Sequence, residues 1–421
     1  MPGIKHHITV FEHQSLKLGQ HFENGEFDEA KLKALQLFYG EKGVPYYSLI
    51  HNGVKFCEYV GVLQVGNLTI EVLPKADKEE DEAHWRSMLI GMLRAVGIFT
   101  IQAPSHSDLA LKSNSILELY FELFIHETEY LFHRGLVKKY RKAEGNSKAL
   151  KGTIQFARHI QQNLTHQERF YVRHTTYDVH HLLHQILYKT LRLLNQINTS
   201  SKLQSKIGSL LLSFPEQDDL RVSEALFERI QLDRKSENYK TAISISRLLL
   251  LNYHPDVMTG RNNVLALMFN MNALWEQFVY VSLLRHRVKG VTIAAQQSKS
   301  FWKPQSGYRV SMRPDIVLNK GKENCVVLDT KWKNLGGYNP SPDDLRQMFV
   351  YHEYFGAQKV ALVYPGQFEV RKGMYFDQTG ELSDKECSIL PLSLKRNIAD
   401  WQLSIHTECD AWLNKKAISN S

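Results

Sequence analysis

Cysteine is scarce in this sequence of 421 residues: only Cys57, Cys325, Cys387 and Cys409, with no two spaced as CxxC. That argues against a disulfide framework or a zinc ribbon and suits a reducing cytosol. Long hydrophobic runs are missing too. The densest, around Leu248 to Leu251, falls far short of the ~18 apolar residues that a membrane-crossing helix needs. The opening MPGIKHHITVFEHQ has no apolar core of the kind a signal peptide carries, so a cytoplasmic protein is expected. No GxxxxGK[ST] occurs, which leaves the chain without a recognisable phosphate loop. Internal repeats and low-complexity tracts are also lacking.

What is present is ordinary for a globular protein: 43% hydrophobic and 23% charged residues. At roughly 100–200 residues per domain, two or three domains are expected. The formal net charge is +8 and the sequence pI about 9.0. That balance favours polyanionic partners, nucleic acid first, although the excess is modest for a chain this long.

The first part of the chain reads as strand-rich. EYVGVLQVGNLTIEVLPK (58–75) holds two β-branched runs around Gly66-Asn67, a pair that supplies positive φ for a tight hairpin, and Pro74 ends the second strand. The acidic run that follows opens a helix through Trp85, Met88, Leu89 and Met92, and a second helix is expected over about Ile116 to Phe132. Arg134 to Arg158 is basic and polar and reads as a joint between domains, and helical patterns resume from Asp178 to about Tyr253. The last third reads as a helix from Asn270 to Arg285, then strands near Val291 to Ala295, Tyr308 to Leu318 and Cys325 to Asp329. A Gly/Asn/Pro-rich loop from Asn334 to Pro342 follows, then a helix to Phe355 and a strand from Lys359 to Tyr364. The expected fold class is therefore mixed α/β and multidomain. A strand-rich α+β domain (1–145) precedes a basic joint and helical region (146–260) and a mixed-sheet C-terminal core (261–421).

The most informative segment is MRPDIVLNKGKENCVVLDTKWK. Asp315 follows Pro314; Asp329 and Lys331 are separated by one residue. Phosphodiester cleavage needs hard oxygen ligands for a divalent ion, a cation beside the phosphate and an activated water. Asp329 and Lys331 share one face of a strand because side chains alternate. The short NKGKEN connection lets the Asp315 strand lie antiparallel beside it, so both carboxylates can meet one metal, with the Thr330 carbonyl as a further ligand. Lys331 would then orient the attacking water and offset phosphate charge. Val326, Val327 and Leu328 form an apolar strand, and carboxylates at the end of such a strand are costly unless paired or metal-bound. A DxK by itself is common by chance; the preceding Pro-Asp, the hairpin spacing and the following helix turn the balance.

Three further residues attach to this group. Gln347 and Tyr351 lie four apart on the helix DDLRQMFVYHEYF, where they either hold a phosphate or a metal-associated water or form the polar edge of an amphipathic helix. Glu276 sits among Leu274, Trp275, Phe278 and Val279, as a supporting carboxylate or as a plain solvent-facing one.

RPDIVL…VVLDTKWK…DLRQMFVYHEYFGAQKVALVYP resembles the nuclease domain of McrC-like restriction subunits, of the PD-(D/E)xK superfamily, and Gln347…Tyr351 resembles its RecB-like branch. EYVGVLQVGNLTIEVLPK and LKGTIQFARHIQQN…RFYVRH are similar to other parts of that family, so the resemblance runs from about residue 8 to 370. It implies a restriction-endonuclease-like core using Mg²⁺, with Mn²⁺ as a substitute, and Asp315, Asp329 and Lys331 as the catalytic residues with Gln347 and Glu276 in support. Asp315, Asp329 and Thr330 are the expected metal-holding residues, and Arg313, Lys333 and Tyr351 the expected DNA contacts. It also implies a partner, a McrB-like AAA+ GTPase ring, to which the N-terminal region docks. Two other roles stay open: an assembly and activating subunit with a secondary or silent nuclease, and a stand-alone RecB-like nuclease.

His180, His181 and His184 (DVHHLLHQIL) read as a polar helix surface rather than a zinc site, since no nearby Glu or Cys completes a ligand set. Lys138 to Arg158 either tracks a DNA backbone or forms a solvated loop. Trp332 faces away from Asp329 and Lys331 and reads as core. Residues 371–421 match no pattern; their end reads as helical.

Overall fold

Buried strands that are apolar on both faces form the scaffold, as in Tyr59–Val65 and Leu68–Leu73, where Val60, Val62, Leu63, Ile70 and Val72 are all fully enclosed. The protein is described by a computed structural model that covers residues 6–22, 25–66, 68–75, 81–97, 116–198, 200–254, 263–287, 290–333, 335 and 339–414. Asn67, Asn334 and the acidic residues Asp77, Glu79 and Glu80, which carried part of the turn, loop and helix-start expectations, lie outside the described residues.

The chain divides into two units, 1–101 with 268–421, and 102–267. This departs from the expected boundaries at 145/146 and 260/261. The physical reason is a tryptophan core that joins distant parts of the chain. The indole of Trp332 lies 6.5 Å from that of Trp85 and 5.4 Å from that of Trp275, and Trp275 stacks on Trp401 at 5.6 Å. Helix Glu82–Ala95, capped by the Asp81 carboxylate, thus packs with helices of the C-terminal third.

In the first unit His6–Phe11 runs parallel to Leu68–Leu73, which pairs antiparallel with Tyr59–Val65. Gly66 supplies the positive φ (57°) at their turn. The C-terminal sheet has the order Ile293–Ala295, Ile316–Leu318, Val326–Thr330, Lys359–Pro365, Leu382–Leu392, Arg371–Phe376. Its centre is parallel and its edges antiparallel. Helix Pro342–Phe355 covers one face through Met348 and Tyr351, which pack with Val327, Val360 and Leu362. On the other face Trp412 of helix Ile398–Asn414 donates to Ser388 Oγ at 2.9 Å. The single strand expected from Tyr308 to Leu318 is two, Val310–Met312 and Ile316–Leu318, in different sheets.

The second unit holds helices Ile116–Arg134, Leu182–Ile197, Ser201–Ser213 and Lys240–Leu251. Its basic segment is not a joint. Lys139–Ser147 is a strand paired along its whole length with Phe170–Asp178, and Arg141–Asp178 and Arg158–Glu144 ion pairs hold its charges. His184 also departs from expectation. It is fully buried, its Nδ1 against Val179 O and its Nε2 against the Tyr239 hydroxyl, and burial pushes its pKa down to about 4. Both ring nitrogens are engaged, so the imidazole serves packing.

Candidate active site

Two strands that were expected to form a hairpin do so. Ile316, Val317 and Leu318 lie opposite Leu328, Val327 and Val326, and the same register carried one residue further sets Asp315 across from Asp329. In an antiparallel pair, opposite residues project from one face. Asp315, Asp329, Thr330, Lys331, Gln347, Glu276, Asn272 and Ala273 line one cleft of about 260 Å³. Every residue that sequence reasoning placed in the catalytic group is therefore brought together there.

Asp329 is the most enclosed member, 2% exposed. Its Oδ1 accepts from Gln347 Nε2 at 3.2 Å, and Lys331 Nζ lies 2.7 Å from Oδ2. That second contact is an ion pair, and no other donor reaches Oδ2 among the described residues. Burial first, then the Asp315 charge, raise the Asp329 pKa to about 6 against the pull of Lys331. Burial also raises Asp315, whose Oδ2 accepts from both the amide (2.7 Å) and the hydroxyl (2.8 Å) of Thr330. Glu276 is pushed up to about 7 by burial and by Asp315; its Oε1 accepts from Gln296 Nε2 at 2.8 Å. Burial would lower Lys331, but the carboxylates of Asp329, Asp344 and Asp315 together raise it, so it is a stable cation. Its backbone N–H donates to Val363 O at 2.9 Å, which holds it in line with the strand.

The oxygen donors of Asp315 and Asp329, buried side by side at the cleft, fit a hard divalent ion. Among the described residues, no group of three or more His, Cys, Asp or Glu side chains is gathered closely enough to hold a metal. Any such site would draw on backbone or solvent oxygen as well as the two aspartates.

Three of the expected side chains also make contacts within the protein. Tyr351 is 2% exposed and its hydroxyl accepts from Gln347 Nε2 at 2.7 Å, so it supports Gln347 from within instead of facing DNA. Thr330 anchors Asp315 through its own amide and hydroxyl. Lys333 is tied to Asp344 at 2.9 Å. Arg313 is exposed beside the cleft, and its charge lowers the pKa values of Glu276 and Asp315 against burial.

Sequence reasoning missed Asp344, Asn272 and Gln296. Asp344 lies in the first turn of helix Pro342–Phe355, where an acidic residue reads as complementing the helix dipole, yet it also sits 3.6 Å from Lys331. Asn272 Oδ1 accepts from the Trp332 amide at 3.3 Å, and no local signal marks it. Behind the cleft, Trp332 is buried as expected, and its indole N–H donates to Glu12 Oε1 at 2.6 Å.

A family model described as McrBC 5-methylcytosine restriction system component matches residues 54–365, a span that contains the whole hairpin and the Gln347 helix. The chain belongs to the McrBC family. A chain from the refined half-complex of the tetradecameric assembly of Thermococcus gammatolerans McrB AAA+ hexamers with bound McrC superposes with a TM-score of 0.73 at 21% identity. The match covers 96% of this chain and 100% of that one. A chain of the Thermococcus gammatolerans McrBC complex gives a TM-score of 0.51 at 21% identity, with 67% and 88% covered. At these identities the likeness shows the fold. No curated protein matches this chain. The McrBC family assignment agrees with the resemblance to McrC-like subunits, and no described helix is long and apolar enough to cross a membrane.

Proposed function

We propose that this McrBC-family chain is a Mg²⁺-dependent DNA endonuclease subunit that works with a McrB-like AAA+ GTPase and stimulates it. The observation that carries the reading is the convergence of Asp315, Asp329, Lys331 and Gln347 on one cleft at the end of a β-hairpin. Asp315, Asp329 and the Thr330 carbonyl would hold Mg²⁺ or Mn²⁺, which would supply Lewis acidity toward the phosphate. Lys331 presents a permanent cation to the phosphate and orients the attacking water. Gln347, fixed by Tyr351, offers a second polar group at that point. Thr330 keeps Asp315 turned toward the cleft. The solved assembly of McrB AAA+ hexamers with bound McrC supports a hexameric AAA+ partner, onto which the N-terminal region of this chain would dock.

With a McrB-like partner, its nucleotide and Mg²⁺, the purified chain is expected to linearise plasmid DNA. Replacing Mg²⁺ by excess EDTA should stop cleavage, and adding back Mn²⁺ should restore it. Cleavage that persists unchanged in EDTA would rule out the metal-dependent reading. The alternative of an activating subunit without nuclease work is disfavoured by a complete, buried DxK pair with its Gln347 partner.

A further inference from the structure

Immediately before Asp315 the chain makes a hairpin of its own. Lys299–Trp302 pairs antiparallel with Val310–Met312 in a separate two-stranded sheet, and Gly307 (φ 108°) lies in its connecting turn. Such a ribbon cannot bury a core, yet it carries large aromatics. Tyr308 is 97% exposed and Trp302 58% exposed. Exposed tryptophan and tyrosine at this density mark a contact surface. The charge is one-sided as well: Lys299, Lys303, Arg309 and Arg313 stand in a segment from Gln296 to Pro314 that contains no carboxylate.

Both feet of the ribbon are fixed at the cleft. At one foot Gln296, in the left-handed region (φ 48°), donates its backbone N–H to Asp315 O at 2.8 Å and its side-chain amide to Glu276 at 2.8 Å. At the other, Met312 leads through Arg313 and Pro314 directly into Asp315. A register shift between Ser300 and Trp302 marks a bulge, the device by which strands re-aim side chains. Phe301 is spent on anchoring: it packs edge-on against Tyr354 at 5.0 Å, on the helix that carries Gln347. Trp302 and Tyr308 make no such ring contact among the described residues.

We infer that the 299–312 ribbon is a DNA clamp that grips the duplex next to the scissile phosphate, with Lys303 and Arg309 on backbone phosphates and Trp302 and Tyr308 against the bases and sugars. A two-stranded ribbon fits a duplex groove, and cations interleaved with aromatics are the chemistry that recognises nucleic acid. The inference deepens the proposed nuclease reading by assigning a substrate-holding surface to the same site. Because the ribbon is continuous with Asp315, DNA held by it is also positioned for the cleft.

The test is equilibrium binding of a fluorescent DNA duplex to the full chain in EDTA. Trp302→Ala/Tyr308→Ala is expected to weaken binding about tenfold, the scale of lost aromatic–base contacts. Lys303→Ala/Arg309→Ala should lower the slope of log affinity against log salt by about 2, for two phosphate contacts given up. The charge pair carries the test should the aromatic pair unfold, and circular dichroism identifies that case. Cleavage by the wild type decides the nuclease reading, whereas binding decides this one. Equal affinity and salt slope in the wild type and the variants, or no duplex binding by the wild type, would overturn the clamp.

Discussion

On the proposed metal-dependent reading, Asp329→Ala is expected to reduce DNA cleavage by on the order of 10³-fold, since losing a carboxylate that holds the ion would forfeit several kcal/mol of transition-state stabilisation. The fold should survive. Burial and the neighbouring Asp315 charge hold the Asp329 pKa up at about 6, so the ionised carboxylate costs stability at neutral pH, and alanine removes that cost. Lys331 keeps a second carboxylate, Asp344, at 3.6 Å. Stimulation of GTP hydrolysis by the partner is expected to stay at the wild-type level. A plasmid-cleavage assay run beside a phosphate-release assay separates the two activities. Cleavage at the wild-type rate by the pure variant would remove Asp329 from the chemistry, and parallel loss of both activities would point to assembly as the role of this strand.

The second large effect is on stability and runs through Glu12. Its Oε1 accepts from the Trp332 indole and from the Lys75 amide at 2.8 Å, while Oε2 makes no hydrogen bond among the described residues, with the His13 ring 4.0 Å away. Burial raises its pKa from 4.5 to about 7, against those two hydrogen bonds and with help from the Glu58 charge. The folded state therefore holds this proton more tightly than the unfolded chain does. Between those two values folding binds protons, so stability falls as pH rises, and the full cost stands above the folded value. The shift corresponds to about 3 kcal/mol. Glu12→Gln keeps an acceptor for Trp332 without the charge. In denaturant unfolding, the variant and the wild type should be near equal around the unfolded pKa, and the variant should be more stable by about 3 kcal/mol at pH 8. Parallel pH profiles would show that the Glu12 carboxylate is solvated as in an ordinary surface group.

These two residues also show what could be read in advance. The Asp315–Asp329–Lys331 arrangement was legible because each of its links is local: alternation within a strand, a short turn between strands, a capped helix after them. The Glu12–Trp332 bond was not, because it closes across 320 positions and neither neighbourhood hints at the other. The two-unit division was not legible for the same reason, since the core formed by Trp85, Trp275, Trp332 and Trp401 is assembled from remote segments. Lys139–Ser147 was misread as a joint because an exposed strand with few apolar side chains looks like a loop; its pairing with Phe170–Asp178 and its ion pairs supply what the sequence pattern lacks. Tyr351 was legible as Gln347's companion, but not as a buried one. Spacing reports which residues share a helix face and leaves open which way that face turns.

The arrangement of two aspartates across a strand pair is only useful for cleavage if a divalent ion enters between them. Calorimetric titration of Mn²⁺ into the full-length protein, wild type against Asp329→Ala, asks this directly. A saturable site present in the wild type and lost in the variant is the predicted result. Identical heats in the two proteins, or no binding by the wild type, would contradict it.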